Sequence, residues 1–280
     1  MEKSFSNCNK LISNFELVLE QKLKDKIVDS PYYTGVDLGT AYIVMVVLDK
    51  NKKPIAGRCQ FADVVKDGMV VDYIGAVEIV KAMKSEVEKE LNCELINVSG
   101  AIPPGTEIID GGTVKHVLQS AGFDVISILD EPTAANEVLQ ITNGAIVDIG
   151  GGTTGISIFE KGHPIYISDE ATGGTHLSLV LAGAYKINYD EAEKLKKDSR
   201  NHKNIMPILS PVVDKIATII SKEIKNYDVG KIYLVGGTAC LENIEKVLEA
   251  KLGIPVLKPN NPMFVTPLGI AIHCVNTASQ

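Results

Sequence analysis

The chain opens with apolar residues at helical spacing. Leu11, Ile12, Phe15, Val18, Leu19 and Leu23 fall on one face between lysines and glutamates, which predicts an amphipathic helix from about Cys8 to Ile27. It should end near Asp29-Ser30-Pro31, because proline biases the preceding residue out of the helical region. We read it as a helix packed on its own domain rather than a partner-binding arm. From Val36 onward the pattern becomes that of strands, and two segments read alike: Val36-Asp37-Leu38-Gly39-Thr40 and Val147-Asp148-Ile149-Gly150-Gly151-Gly152-Thr153. Each is followed by a β-branched strand (Ile43 to Leu48; Ile156 to Phe159), a charged turn, and Lys-Pro-Ile (53–55) or His-Pro-Ile (163–165) opening a further strand. Asp148 follows Asp37 by 111 residues and Pro164 follows Pro54 by 110. Strand, Gly-Thr turn, strand and strand thus occur twice, which implies two lobes of common design.

Between the copies the pattern predicts a helix from about Ile74 to Leu91, a strand near Ile96 to Ile102, a helix near Thr113 to Ala121, and a strand from Val125 to Leu129. That strand leads into a helix opened by Pro132, a favoured first-turn residue. The second half repeats the order. Helices at about 176–186 and 189–197 precede a long helix after Pro211, then come a strand from Lys231 to Val235, a helix from Leu241 to Leu252 and a last helix from about Pro267 to Cys274.

At 280 residues the chain exceeds one ordinary hydrophobic core, so two domains are expected. It is 45% hydrophobic, and 28 Lys+Arg against 35 Asp+Glu leave a net charge of −7, which argues against nucleic acid as a partner. Runs such as Ile43 to Leu48 are far shorter than the roughly 20 residues of a membrane span. The N-terminus lacks the apolar core of a secretory signal, so a cytoplasmic protein is expected. Five scattered cysteines with no C-x-x-C, and five histidines with no H-x-x-x-H, suggest neither a disulfide framework nor a metal grip, and no histidine is assigned a role.

Gly150-Gly151-Gly152-Thr153-Thr154-Gly155 fits the G-x-G-x-x-G pattern of dinucleotide-binding folds, but that fingerprint needs a helix directly after it. Here Ile156 and Ile158 alternate as a strand does, and no Walker P-loop occurs. A glycine-rich hairpin turn can still hold phosphate, because backbone N–H groups free of side chains can converge on an anion. Two such turns could pinch one triphosphate. An aspartate ending the strand before each turn, Asp37 or Asp148, would hold the waters of Mg²⁺, an ion that keeps most of its hydration and uses one or two carboxylates. A carboxylate so placed should be solvated. Three further segments stand out: Asp130-Glu131-Pro132-Thr133-Ala134-Ala135, with small residues suited to close helix crossing at a hinge; Tyr233-Leu234-Val235-Gly236-Gly237-Thr238-Ala239, where a flat base could approach backbone; and Thr266-Pro267-Leu268-Gly269-Ile270-Ala271.

In this order the five segments resemble the phosphate 1, connect 1, phosphate 2, adenosine and connect 2 motifs of the actin-like ATPase superfamily, over nearly the whole chain after Tyr32. Glu-Pro-Thr-Ala-Ala (131–135), Asp-Ile-Gly-Gly-Gly-Thr (148–153) and Ala101-Ile102-Pro103-Pro104 followed by Ala121-Gly122-Phe123 are similar to the nucleotide-binding domain of DnaK-type chaperones. Residues 62–68, 102–106 and 169–174 narrow the resemblance to the compact DnaK-like family of ethanolamine utilisation. The resemblance implies an α/β fold of two ribonuclease H-like lobes with a nucleotide cleft between them. Lobe I would be residues 31–143 plus 262–280, lobe II residues 144–261, and residues 1–30 the preceding helix.

It also implies ATP and Mg²⁺ as ligands. Asp37 and Asp148 would be the magnesium-water carboxylates, Glu131 the residue that orients the attacking water, and Thr153 a second catalytic residue. Gly39, Thr40, Gly150, Gly151, Gly152 and Thr154 would cradle the phosphates. Gly236, Gly237 and Thr238 would contact adenosine, with Glu193 and Lys196 flanking base and ribose; an E-x-x-K spacing is equally that of a solvated helix. Only about 90 residues separate Asp37 from Glu131, too few for the insertion that carries a catalytic lysine in the large chaperones, and a peptide-binding domain after the last helix is not expected. The function so implied is a slowly ATP-hydrolysing, chaperone-like or assembly factor. Its client is unknown, an ethanolamine-pathway enzyme or a microcompartment shell protein being implied by the resemblance, and microcompartment association with it. The alternative is an actin-like scaffold that polymerises or docks with ATP bound. A small-molecule kinase would need an acceptor base near the γ-phosphate, and no residue is identified for it.

Overall fold

The computed structural model describes residues 2–20, 31–66, 68–104 and 110–279. The end of the first predicted helix, at residues 21–30, lies outside the described residues, as do Asp67, Gly105 and Thr106. The chain divides into two compact units, one running to Gln140 and taking in everything from Phe264, the other Ile141–Met263.

In the first unit α1 (Glu2–Glu20) precedes β1 (Tyr33–Leu38), β2 (Tyr42–Leu48) and β3 (Pro54–Phe61), and a short hairpin of β4 (Val65–Lys66) and β5 (Met69–Val70) follows. Then come α2 (Tyr73–Leu91), β6 (Asn97–Ile102), α3 (Asp110–Ser120), β7 (Asp124–Asp130) and α4 (Glu131–Leu139). The sheet order is β3-β2-β1-β6-β7, antiparallel among β1, β2 and β3 and parallel from β1 through β7. Ile43 to Leu48 are all buried, as a β-branched run covered on both faces requires. α1 packs on β3, where the Phe15 ring occupies the space a Cβ on Gly57 would need. Phe264 meets the same ring edge-on at 5.2 Å.

The second unit has β8 (Gly144–Ile149), β9 (Thr154–Glu160), β10 (His163–Glu170), α5 (Gly174–Tyr185), α6 (Tyr189–Lys197), α7 (His202–Ile224), β11 (Ile232–Val235), α8 (Ile244–Leu252) and β12 (Val256–Leu257). Its sheet order, β10-β9-β8-β11-β12, reproduces that of the first sheet strand for strand. The repeat read in the sequence is therefore a structural duplication. The chain ends in α9 (Val265–Ala278), which returns to the first unit and packs on α4 and β1.

Three sequence expectations are corrected. The long helix begins at His202, not after Pro211, and contains both Pro207 and Pro211. Each proline removes one bond to the carbonyl four residues earlier, but both lie on the exposed side, where water can satisfy the freed carbonyls of Lys203 and Pro207. Second, Ser199–Ile224 is one stretch of 26 residues with mean hydropathy 1.2 in its most apolar window, long and apolar enough by composition to cross a bilayer. Its apolar stripe, Ile205, Leu209, Val213, Ile216 and Ile220, is buried in the core of the second unit, and Lys203, Asp214 and Lys215 are exposed. Third, the helix expected from Leu241 begins at Ile244, and the Gly236-Gly237 turn before it opens only a single 3₁₀ turn, Thr238–Cys240. Left-handed Asn243 (φ 63°) separates it from α8.

Candidate functional site

In the second unit β8 carries Asp148 to the mouth of the Gly150–Thr153 turn and β9 leaves it. The turn is closed by the Gly150 amide donating to the Thr153 carbonyl at 3.0 Å. Its carbonyls face α5: Gly150 O accepts from the Gly174 amide at 3.0 Å and Gly151 O from the Thr175 amide at 2.8 Å. Thr238 Oγ1 also donates to Gly150 O, at 2.7 Å. With the carbonyls so engaged, the amides of Gly151, Gly152 and Thr153 meet no acceptor among the described residues, and successive unpaired N–H groups of a glycine turn are the chemistry of an anion nest. The nest depends on a second glycine pair, Gly173-Gly174, to which no motif in the sequence assigns a role in the site. A Cβ on Gly173 would stand 2.8–2.9 Å from backbone atoms of Gly150, Gly151 and Gly152, so only glycine lets the two turns stack.

Asp148 is 8% exposed, which corrects the expectation of a solvated carboxylate. Gly236 passes over it with φ 92°, and a Cβ there would overlap Asp148 Oδ1 and the Ile149 carbonyl. Gly237 is different: it is exposed and a Cβ would meet nothing within 4 Å. Thr154 is fully buried and its hydroxyl donates to the Thr172 carbonyl at 2.6 Å. The hydroxyl expected to help hold nucleotide is spent on the fold.

α6 starts under an Asn188 cap, whose side chain accepts from the Glu191 amide at 2.9 Å, and turns Glu193 and Lys196 inward. Neither is solvated: Glu193 is buried and Lys196 half-buried, and each side chain is 11% exposed. Lys196 Nζ donates to Glu193 Oε2 at 2.7 Å and to the Gly174 carbonyl at 2.9 Å. Ser178 Oγ donates to the same carboxylate, and Lys197 lies 3.3 Å from its other oxygen. Burial pushes the Glu193 carboxyl up, but attraction to Lys196, with the Ser178 bond and Lys197, outweighs it and holds the group below the usual carboxylate range. Burial takes the Lys196 ammonium below the ordinary lysine value despite Glu193. These directions fit one ionised pair in which each partner offsets the other's desolvation. The pair thus lies against the Gly173-Gly174 turn, and Gly174 also faces Thr238, which places three predicted segments of the second unit, the Gly150–Thr154 turn, the Glu193–Lys196 pair and the Gly236–Thr238 turn, in one neighbourhood.

In the first unit Asp37 is half-buried at the end of β1, and the Gly39 amide closes its turn on the Tyr42 carbonyl at 3.0 Å. Thr40 is half-buried beside it. Glu131 is the first residue of α4, capped by Asp130 Oδ1 accepting from the Thr133 amide at 2.9 Å. β1, β6 and β7 are parallel, so Asp37 and Glu131 emerge at the same edge of the first sheet.

Two sheets of this mixed order, each with a glycine-bearing hairpin turn after its first strand, are the architecture of the actin-like ATPases. The chain matches the family model of MreB/Mbl protein over residues 55–192 and that of Type IV pilus assembly protein PilM over residues 132–267. It is 41% identical over 244 residues to ethanolamine utilization protein EutJ of Salmonella typhimurium, covering 87% of this chain and 86% of the relative. The crystal structure of EutJ from Carboxydothermus hydrogenoformans superposes with TM-score 0.90 at 46% identity, covering 96% of this chain and 99% of that one. MreB 5 of Spiroplasma citri bound to AMPPNP shares the fold, with TM-score 0.72 at 17% identity over 86% and 95% of the two chains. The chain belongs to the EutJ family.

Proposed function

We propose that this protein binds Mg-ATP, hydrolyses it slowly, and serves ethanolamine utilisation as a nucleotide-switched chaperone-like or assembly factor. The observation that carries the reading is the row of unpartnered amides at Gly151, Gly152 and Thr153, set beside the open backbone of Gly237 and the carboxylate of Asp148. Amides of that kind fit phosphate oxygens, and exposed glycine backbone fits the face of a base. MreB5 of Spiroplasma citri, which has this fold, has been crystallised with ADP and with AMPPNP.

In this reading Asp37 and Asp148 would hold the water shell of Mg²⁺, an ion that would supply charge to the phosphoryl oxygens. Glu131 orients water for attack, and Thr153 and Thr40 line their turns. Phosphoryl transfer depends on positioning and on cations that meet developing charge. Lys196 of α6 is engaged by Glu193 and Gly174, which favours a slow switch over a metabolic kinase. The client is an enzyme of ethanolamine breakdown or a shell protein of its microcompartment, and the protein works in the cytoplasm. Calorimetry with Mg-ATP, repeated with EDTA, tests the reading: affinity should fall when magnesium is removed, and absence of ATP binding would overturn it.

The match to the MreB/Mbl model favours a second reading, a scaffold that polymerises with ATP bound. Sedimentation that grows with protein concentration and needs ATP would support it over the first.

A further inference from the structure

We propose that His202 is a positioning residue that sets the adenosine end of the nucleotide site by joining α6 to the turn after Gly237. His202, the first residue of α7, is 5% exposed. Its Nε2 lies 2.8 Å from the Lys196 carbonyl oxygen and its Nδ1 3.0 Å from the Glu242 amide nitrogen. A carbonyl can only accept and a backbone amide can only donate, so the ring is the Nε2–H tautomer with both nitrogens satisfied.

Those two bonds complete a closed circuit. Gly150 O accepts from Thr238 Oγ1; the chain runs from Thr238 to Glu242, whose amide donates to His202 Nδ1. His202 Nε2 donates to the Lys196 carbonyl, Lys196 Nζ donates to the Gly174 carbonyl, and the Gly174 amide donates back to Gly150 O. The phosphate turn is held by its own bonds to Gly174 and Thr175, independently of the ring. The spacing between α6 and the 3₁₀ turn Thr238–Cys240 depends on the ring, because a rigid donor–acceptor pair fixes the distance between two main-chain segments. Loss of His202 should therefore loosen recognition of adenosine and leave recognition of the phosphates in place. The inference rests on the nucleotide reading above.

The test uses the full chain and calorimetry with two probes, Mg-ATP and magnesium tripolyphosphate. His202→Leu, which keeps the bulk and loses both bonds, should lose about tenfold or more in ATP affinity, the scale of one buried bridge left unmade. Its tripolyphosphate affinity should stay within about twofold of wild type. His202→Gln, which retains one donor and one acceptor, should recover most of the ATP affinity. An unchanged ATP affinity in His202→Leu, an equal fall for both probes, or no recovery in His202→Gln overturns the positioning role while leaving nucleotide binding standing. Wild-type protein that binds neither probe overturns the nucleotide reading itself, and this one with it. Imidazole ¹⁵N shifts of the wild type give an arm that needs no variant: an Nδ1–H tautomer would overturn the circuit.

Discussion

Gly269 of α9 lies directly against the backbone of Ala134 of α4: a Cβ at Gly269 would overlap the Ala134 carbonyl. α9 makes a second such approach, since a Cβ on Gly35 would overlap the main chain of Ala271. The helix is thus wedged between β1 and α4 at backbone distance, and Glu137 ties the same crossing by accepting from Asn276 Nδ2 at 3.0 Å. Gly269→Ala should cost about 3 kcal/mol or more, above the usual range for an added methyl because backbone, not a side chain, must move. Thermal melts check it; an unchanged melting temperature would show that α4 and α9 can part freely.

Gly236 and Gly237 are adjacent and should respond in opposite ways. Gly236→Ala meets strained backbone and the Ile149 carbonyl, and should destabilise the fold by about 2–3 kcal/mol. Gly237→Val adds a side chain to open space, so the melting temperature should hold while ATP affinity falls. ATP affinity equal to wild type in Gly237→Val would remove Gly237 from the site.

Asp148→Asn preserves shape and removes charge. With the carboxylate buried below Gly236, the amide should still fit, and the melting temperature without nucleotide should stay close to wild type. Affinity for Mg-ATP should fall by about tenfold or more, the usual cost of disturbing a group that orients a metal's ligands. Melting measured alongside calorimetry separates the two effects, and a large loss of stability with affinity retained would assign Asp148 to the fold.

Glu131→Gln should slow single-turnover hydrolysis on the order of 10²-fold and leave ATP affinity unchanged, because the side chain orients water and holds no phosphate. Its place on the first turn of α4 makes the amide tolerable there. Quenched-flow measurement decides it: an unchanged rate would show that another group positions the water.

Four of the five thiols should separate by burial. Burial pushes the Cys8 thiol up to about 12 and Cys274 up to about 11, so at pH 8 neither carries appreciable thiolate. Cys59 and Cys240 are exposed. A thiol-specific reagent at pH 8 should label those two first and reach Cys8 and Cys274 only on unfolding. Peptide mapping checks it, and early labelling of Cys274 would show α9 opening from the sheet.

The duplication was legible because two copies of an aspartate, a glycine turn and a β-branched strand carry a local signal each time, and β-strand alternation survives in sequence wherever burial imposes it. The fold class came with the resemblance that this order of motifs carries. The helix through Pro207 and Pro211 was not legible, since proline reads locally as a break and only the exposure of its face tells that water can take the freed carbonyls.

The site divides in the same way. Sequence by itself marked out the segments whose chemistry suits phosphate and magnesium, because a glycine turn with bare backbone and an aspartate at the strand end before it are local features. Only the tertiary structure decided that Glu193 and Lys196 are partners turned into the fold and not a solvated pair, that Thr154 is spent on Thr172, that Asp148 lies under Gly236, and that His202, itself 40 residues before Glu242, joins Glu242 to Lys196. Those facts depend on which main-chain groups other elements leave without a partner, and that is set by packing between elements distant in sequence, not by any spacing within one.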